Sequence, residues 1–253
     1  MFTFQLLSLF PEETASFFQK GIFKRAIQEQ CFRFNVINLR SFGIGNYKTV
    51  DGPPFGGREG MILRSDVVVE AVKSIDHFEQ YRIIYTCPKG PRYNQARSRD
   101  YLSEKKGLII IPGYYEGIDE RIFELLPVEQ VSVGDFILSS GEIPALAIID
   151  SMARQLPGVL GNPECVRNES IVSGVLEHAQ YTQPKELESL GVPEVLVSGH
   201  HQNIRRWKRD NALARTLFSR PDMLSREHLD EADRETLTQL FKGEMSEHGA
   251  FKF

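Results

Sequence analysis

Leu108 to Arg121 reads L-I-I-I-P-G-Y-Y-E-G-I-D-E-R, and its first four residues decide the fold class. A short apolar run with no polar alternation has no solvent face, which is how a parallel strand covered on both sides reads. The run ends at Pro112-Gly113 and gives way to a loop of glycine, tyrosine and acid. After a less distinctive stretch, Ser132 to Arg154 reads S-V-G-D-F-I-L-S-S-G-E-I-P-A-L-A-I-I-D-S-M-A-R. This is a second loop dense in glycine, acid and hydroxyl, closing on an almost wholly apolar helix that begins near Glu142. Pro144 fits the first turn of that helix, where its missing N–H costs nothing. Ala147, Asp150, Ser151 and Arg154 fall at i, i+3, i+4 and i+7, so the few polar side chains share one face, a candidate wall of a site. Loops at strand ends are where α/β proteins place their chemistry.

Working outward, the chain before this core alternates strand and helix signals. Phe2 to Leu9, Phe32 to Asn38 and Arg82 to Thr86 read as strands; Glu12 to Gln28, with a break at Gly21, and Asn94 to Glu104 read as helices. Ser65 is a plausible N-cap for a helix through Ser74. The alternation predicts an α/β fold with a mainly parallel sheet. Arg40 to Met61 is rich in glycine and proline; Arg40, Phe42, Tyr47 and Lys48 followed by P-P-F-G-G read as a lid or an RNA contact. Gly158 to Pro184 carries few hydrophobic anchors and reads as a partly mobile linker. Beyond it, Gln202 to Phe218 and Arg226 to Phe241 are helical patterns separated by Pro221, a small helical C-terminal domain. The expected division is 1–157, 158–184 and 185–253. Ile204, Trp207, Ala214 and Leu217 form a core stripe on the first of these helices, with Arg205, Lys208, Arg209 and Arg215 along its flank.

Composition excludes several classes. The 253 residues are 41% hydrophobic and 25% charged, those of an ordinary globule. There is no apolar run of about 18 residues, so no membrane partner is expected, and the N-terminus lacks the basic flank and cleavage site of a signal peptide. The cysteines Cys31, Cys87 and Cys165 have no C-x-x-C spacing, so neither a disulfide framework nor a zinc site is indicated, and the expected compartment is the reducing cytoplasm. His200 and His201 lack acidic or cysteine partners at ligand spacing. Neither G-x-G-x-x-G nor a phosphate-binding lysine loop is present, which excludes the usual dinucleotide and P-loop routes. A net charge of −4 does not advertise nucleic-acid binding, so an RNA partner must be held by a local patch such as R-R-W-K-R at 205–209.

Five motifs carry a resemblance: L-S-L-F-P (Leu7 to Pro11), the Pro53 to Met61 loop, Y-E-G-I-D-E-R (Tyr115 to Arg121), G-D-F-I-L-S-S-G-E (Gly134 to Glu142) and P-G-V-L-G (Pro157 to Gly161). Together they resemble, over nearly the whole chain, the bacterial tRNA (guanine-N1)-methyltransferase family of the SPOUT superfamily. The resemblance implies a parallel sheet with a deep trefoil knot, plus a helical C-terminal domain. It implies that S-adenosylmethionine sits among three knot loops. Carried over residue by residue, these are Thr86, Cys87, Pro88 and Gly90; Gly113, Tyr115 and Glu116; and Val133, Gly134, Phe136, Leu138, Ser140, Gly141 and Pro144. It implies methylation of N1 of guanosine 37, immediately 3′ of the tRNA anticodon, with Arg154 stabilising charge on O6. Glu169 stands where the family has its general base, an aspartate followed by serine. A homodimer, tRNA contacts from Arg205, Lys208 and Arg209, no DNA partner and dependence on Mg²⁺ complete the implication; the sequence offers no metal-ligand cluster. The chain departs from the family at Glu169, at Arg58-Glu59, and at Ser140, where a serine forced to positive φ costs about 1 kcal/mol. Two alternatives stay open on sequence: a SPOUT methyltransferase of another tRNA site, and a catalytically silent RNA-binding homologue.

Overall fold

A computed structural model describes residues 1–57, 59–104, 106–161, 170–225 and 229–242, and the backbone divides into two compact units, Met1–Gly161 and Asn162–Phe253. In the first unit the chain runs through β1 (Phe2–Ser8), α1 (Pro11–Phe17), α2 (Gly21–Gln28), β2 (Phe32–Asn38), β3 (Asp51–Gly52), β4 (Ile62–Leu63) and α3 (Ser65–Lys73). It continues through β5 (Tyr81–Thr86), α4 (Gln95–Glu104), β6 (Gly107–Pro112), α5 (Ile122–Leu125), β7 (Val128–Val131) and α6 (Glu142–Ala153). Among the described residues the main sheet has five strands in the order β2-β1-β6-β5-β7, and every neighbouring pair is parallel.

The unbroken apolar run is explained by its place in that sheet. Every residue of β6 is buried. Leu108 and Ile110 join one core with Phe4 and Leu6 of β1 and Ile148, Ile149 and Met152 of α6. Ile109 and Ile111 join the other, with Ile83 of β5 and Val68 and Val72 of α3. Successive side chains of a strand point to opposite faces, so a strand with helices on both sides needs apolar residues at every position.

Several local expectations are revised. The helical break comes at residues 18–20, and Gly21 opens α2 with φ +59°, a left-handed value that glycine adopts without steric cost. Ser65 is not a cap: it is the first residue inside α3 and is buried, with Arg64 at the cap position. Asp66 does the local bonding instead, accepting from the Val67 N–H at 3.0 Å and pairing with the Arg64 guanidinium at 2.7 Å. The stretch 40–61 contains β3, which pairs antiparallel with β4, and its Tyr47 and Phe55 are 94% and 100% exposed. β7 and the single-turn α5 escaped the sequence reading. V-E-Q-V is too short and too polar at its centre to register as a strand.

The second unit contains the β8 (Glu186–Leu187) and β9 (Leu190–Gly191) hairpin and three α-helices among its described residues, α7 (Glu194–Val197), α8 (His201–Ser219) and α9 (Glu231–Phe241). Its core gathers Val175, Ala212, Leu213 and Leu237, with Leu217 and Leu240 packed against them. Of the expected stripe, Ala214 is buried and Leu217 joins this core, but Ile204 and Trp207 lie outside it. Residues 170–181, expected within the linker, bond to α8: the Leu176 N–H donates to Thr216 Oγ1 at 2.8 Å and the Ala179 N–H to Asn211 Oδ1 at 2.7 Å.

The helix pair α8/α9 is locked by charge. Arg209 Nη2 lies 2.6 Å from Asp233 Oδ2 and its Nε donates to Oδ1 at 3.0 Å, with the Asp233 side chain 3% exposed. Asp233 also accepts from the Asp230 N–H in a capping box. Burial pushes the Asp233 carboxyl up, but the Arg209 hydrogen bonds and charge pull it further down, so it ends below its ordinary value. Its stabilising contribution is therefore complete above the ordinary carboxylate range and is lost as pH falls through the lowered folded value. Removing one partner of such a pair leaves a buried charge uncompensated. Arg209→Ala is expected to destabilise the second unit by about 3 kcal/mol at neutral pH and to flatten its stability profile in acid. Circular dichroism melts across pH 2–7 check both; a variant as stable as the wild type would return the pair to a surface contact.

Candidate functional site

β5 and β6 end side by side, with Thr86 opposite Pro112. Thr86 is buried, and its Oγ1 donates to the Gly141 carbonyl at 2.9 Å while accepting from the Gly113 N–H at 3.2 Å. The Gly141 N–H in turn donates to the Gly113 carbonyl at 2.6 Å. One hydroxyl thus ties the end of β5 to the loop after β6 and to the N-cap of α6. The approach is so close that side chains do not fit. A Cβ on Gly141 would lie 2.2 Å from the Gly113 nitrogen, and one on Gly113 would lie 2.4 Å from the Thr86 carbonyl oxygen.

Beside this junction opens a pocket of about 420 Å³. All the residues carried over to a cofactor pocket line it except Gly90. Gly90 instead presses on β7, where a Cβ would come within 2.4 Å of the Gln130 and Val131 backbone. Lys89, Phe123 and Gln130 line the pocket as well. Gln130 went unnoticed with its strand; the exposed Lys89 pairs with Glu120 at 3.3 Å and carries no motif.

The wall from Gly113 to Asp119 is braced from outside. The Glu116 N–H donates to the Met61 carbonyl at 3.0 Å, and Leu63 of β4 bonds Gly117 and Asp119 on either side. Tyr115 sits at φ +55°, a left-handed conformation costing a non-glycine residue about 1 kcal/mol or more, which this bracing sustains. Behind the wall is a buried polar network. The Tyr114 hydroxyl donates to Glu142 Oε1 at 2.5 Å and accepts from the Leu9 N–H at 3.0 Å, while Ser8 Oγ donates to the same Glu142 oxygen at 2.6 Å. Burial, followed by the Glu142 carboxylate, pushes the Tyr114 hydroxyl far above its ordinary value, so it remains a donor. A carboxylate in the first turn of α6 also complements that helix's dipole.

Ser140 is not strained. It lies outside the positive-φ residues, and its Oγ accepts from the Glu142 N–H at 3.4 Å. Of the polar face of α6, Ser151 turns to the segment before α4, its hydroxyl 2.6 Å from the Tyr93 hydroxyl. Asp150 is half-buried; burial raises its carboxyl, and Arg154 offsets part of that rise. Arg154 occupies the C-cap of α6, outside the pocket lining. Glu169 lies outside the described residues. Arg205 and Lys208 are exposed on α8, whereas Arg209 is engaged by Asp233. Among the described residues no three His, Cys, Asp or Glu side chains come together as a metal site, and no helix is long and apolar enough to cross a membrane.

A parallel sheet whose C-terminal loops converge on glycines around a pocket of this size defines an α/β protein with a cavity at its strand ends, the place and size at which such folds take small organic ligands. Residues 2–226 match the family described as tRNA (Guanine-1)-methyltransferase TrmD. The chain is 40% identical over 238 residues to a tRNA (guanine-N(1)-)-methyltransferase of Pelotomaculum thermopropionicum, covering 93% of this chain and 94% of the relative. The protein of the same name from Staphylococcus epidermidis is 42% identical over 91% of this chain and 94% of its own length. That from Dictyoglomus turgidum is 39% identical over 96% and 98%. The chain belongs to the tRNA (guanine-1)-methyltransferase TrmD family.

The junction sets clear expectations for the pocket. Thr86→Val keeps the volume but leaves the Gly113 N–H without its acceptor, a loss of about 1–3 kcal/mol, while the Gly141 carbonyl keeps the Ala145 N–H; Gly141→Ala forces the loops apart and is expected to abolish binding of S-adenosylmethionine, the methyl donor that the family implies. Ser140→Gly, with no strain to relieve, should change affinity less than about twofold. Calorimetric titration of the three variants tests this, and tight binding by Gly141→Ala would disprove the junction's role.

Proposed function

We propose that the protein transfers the methyl group of S-adenosylmethionine to N1 of the guanosine immediately 3′ of the tRNA anticodon, acting as a cytoplasmic homodimer. The observation that carries this reading is the Thr86–Gly113–Gly141 junction beside a pocket of about 420 Å³, in a chain of this family. The residues suit the cofactor. Glycines leave backbone donors and acceptors open to a bent ligand, and Phe136, Leu138 and Pro144 offer apolar surface for its adenine. When bound, S-adenosylmethionine supplies an electrophilic methyl group on a sulfonium.

The chain must then make guanine N1 nucleophilic, since that nitrogen carries a proton and has no available lone pair at neutral pH. Glu169 is assigned as the acceptor of that proton, the work of a general base. Its extra methylene relative to aspartate moves the carboxylate by roughly 1 Å, a displacement that matters where geometry is tight. Arg154 is assigned to O6, where negative charge develops as the proton leaves, and a fixed cation there stabilises the transition state. Arg205 and Lys208 are assigned to tRNA phosphates; Arg209 is left to its structural pair. No step is assigned to Mg²⁺.

The trefoil knot of the superfamily belongs to the same reading, supported by the entry of β6 between β1 and β5 and by the bonding of Gly141 to Gly113. Dimerisation is supported by apolar side chains left exposed on the first unit, Phe10, Phe17, Ile22 and Ile143, at 46%, 48%, 42% and 58%, the kind of surface that a second copy buries.

Labelled S-adenosylmethionine and unmodified tRNA transcripts with G or A after the anticodon test the assignment. Label should enter only the G transcript and digest to 1-methylguanosine; another modified nucleoside would identify a different SPOUT activity, and cofactor binding without transfer a silent homologue. Glu169→Gln is expected to slow single-turnover transfer by about 10²- to 10⁴-fold with cofactor affinity unchanged, and Glu169→Asp to retain substantial activity. A Glu169→Gln enzyme within a few-fold of wild type would move the base elsewhere.

A further inference from the structure

The sequence holds one tryptophan, and the second unit does not use it as core. The apolar cluster of that unit forms without Trp207, which is half-buried on α8. Around it stand two further rings from the preceding segment: His178 and Tyr181, each with its centroid 6.4 Å from that of Trp207, tilted by 56° and 54°. At that separation and tilt the rings do not cover one another face to face. Tyr181 is 44% exposed.

The grouping is held in place by buried polar side chains. Asn211 and Thr216 of α8 are 3% and 0% exposed, and they accept from the N–H groups of Ala179 and Leu176, on either side of His178. Buried amide and hydroxyl groups are retained where they make hydrogen bonds, and here those bonds fix the ring-bearing segment along the helix. A cleft of about 460 Å³, lined by Ser170, Glu177, His178, Gln180 and Arg215, opens beside the rings. Arg215 is the cation that shares this cleft with His178, and Lys208, which follows the tryptophan in sequence, and Arg205 are exposed on the same helix.

Half-exposed aromatic rings beside cations form the surface on which unpaired nucleotides stack, the rings taking the base and the cations the phosphate. We propose that Trp207, with His178 and Tyr181, is a stacking platform for an unpaired base of the tRNA substrate. It is sequence-tolerant because every base offers a π-face. This inference rests on the tRNA reading above.

The tryptophan reports on its own occupancy. Emission from the full-length protein is expected to change on titration with unmodified tRNA transcript. Trp207→Ala should raise the tRNA Kd on the order of tenfold, the effect of losing one stacked base, and Trp207→Phe should stay within about threefold. Tyr181→Ala, at a more exposed ring, should weaken binding with an unchanged thermal melt, which guards against a misfolded Trp207 variant. The slope of log Kd against log salt should be unchanged in Trp207→Ala and flattened in Arg205→Ala/Lys208→Ala, because stacking releases no counterions. Constant emission at saturating tRNA, together with wild-type affinity in both ring variants, would overturn the platform while leaving the methylation reading standing. Emission that changes with protein concentration alone would place a second copy of the chain on the rings, and overturn it as well. Failure of the wild-type protein to bind tRNA would overturn both readings.

Discussion

Three backbone segments meet at the Thr86 hydroxyl more closely than side chains allow. The end of β5, the loop after β6 and the start of α6 come from positions up to 55 residues apart in the chain, and a Cβ at Gly113 or Gly141 would lie within 2.4 Å of a neighbouring backbone atom. The hydroxyl satisfies the Gly113 N–H, a donor that would otherwise be left unpaired next to the pocket, which is costly in a buried setting, and adds a second donor to the Gly141 carbonyl. Both sides of the site depend on it. The loop from Gly113 to Glu116 forms one wall, the loop from Val133 to Gly141 forms another, and their separation is set where they touch. Tyr115 holds its left-handed backbone against the bracing from β4, and Glu142 is buried where the Ser8 and Tyr114 hydroxyls donate to it.

Much of this was legible from particular residues. The unbroken L-I-I-I run specified a strand buried on both faces, and the apolar helix from Glu142 follows the expected boundaries. The pocket lining followed from motif resemblance and not from periodicity, since a glycine-rich loop reads the same whether it turns the chain or admits a ligand. What was not legible is what depends on distant partners. β7 is recognisable as a strand only once β5 is beside it. Ser65 has a capping side chain but sits one residue too late, because Asp66 finds Arg64. Ser140 looks strained by comparison with glycine, but its backbone does not enter the left-handed region.

The second unit shows the same limit in its charges. R-R-W-K-R reads as one cationic flank, but a helix distributes five consecutive residues around its circumference. Arg206 donates to Thr236 at 2.6 Å and Arg209 pairs with Asp233, both on α9, so these two act as structural cross-links. Arg205 and Lys208 point elsewhere and remain exposed. A count of basic residues therefore overstates the surface available to phosphate, and the tryptophan in the middle of the motif, which looked like core, is left beside His178 and Tyr181.

The position of β6 also has a consequence for how the chain reaches this state. β6 pairs with β1, about a hundred residues earlier, and with β5, and its alternating side chains complete both cores at once. Until it is inserted, β1 and β5 each present an unpaired edge, and each core lacks its central layer. Non-local parallel pairing closes large loops before it gains contacts and is intrinsically slow. A nascent chain ending before residue 107 therefore exposes apolar strand edges that the finished molecule never shows, and during synthesis this unit passes through an aggregation-prone species. The same topology makes the native state cooperative: no half of the sheet can be kept without the strand that joins the two.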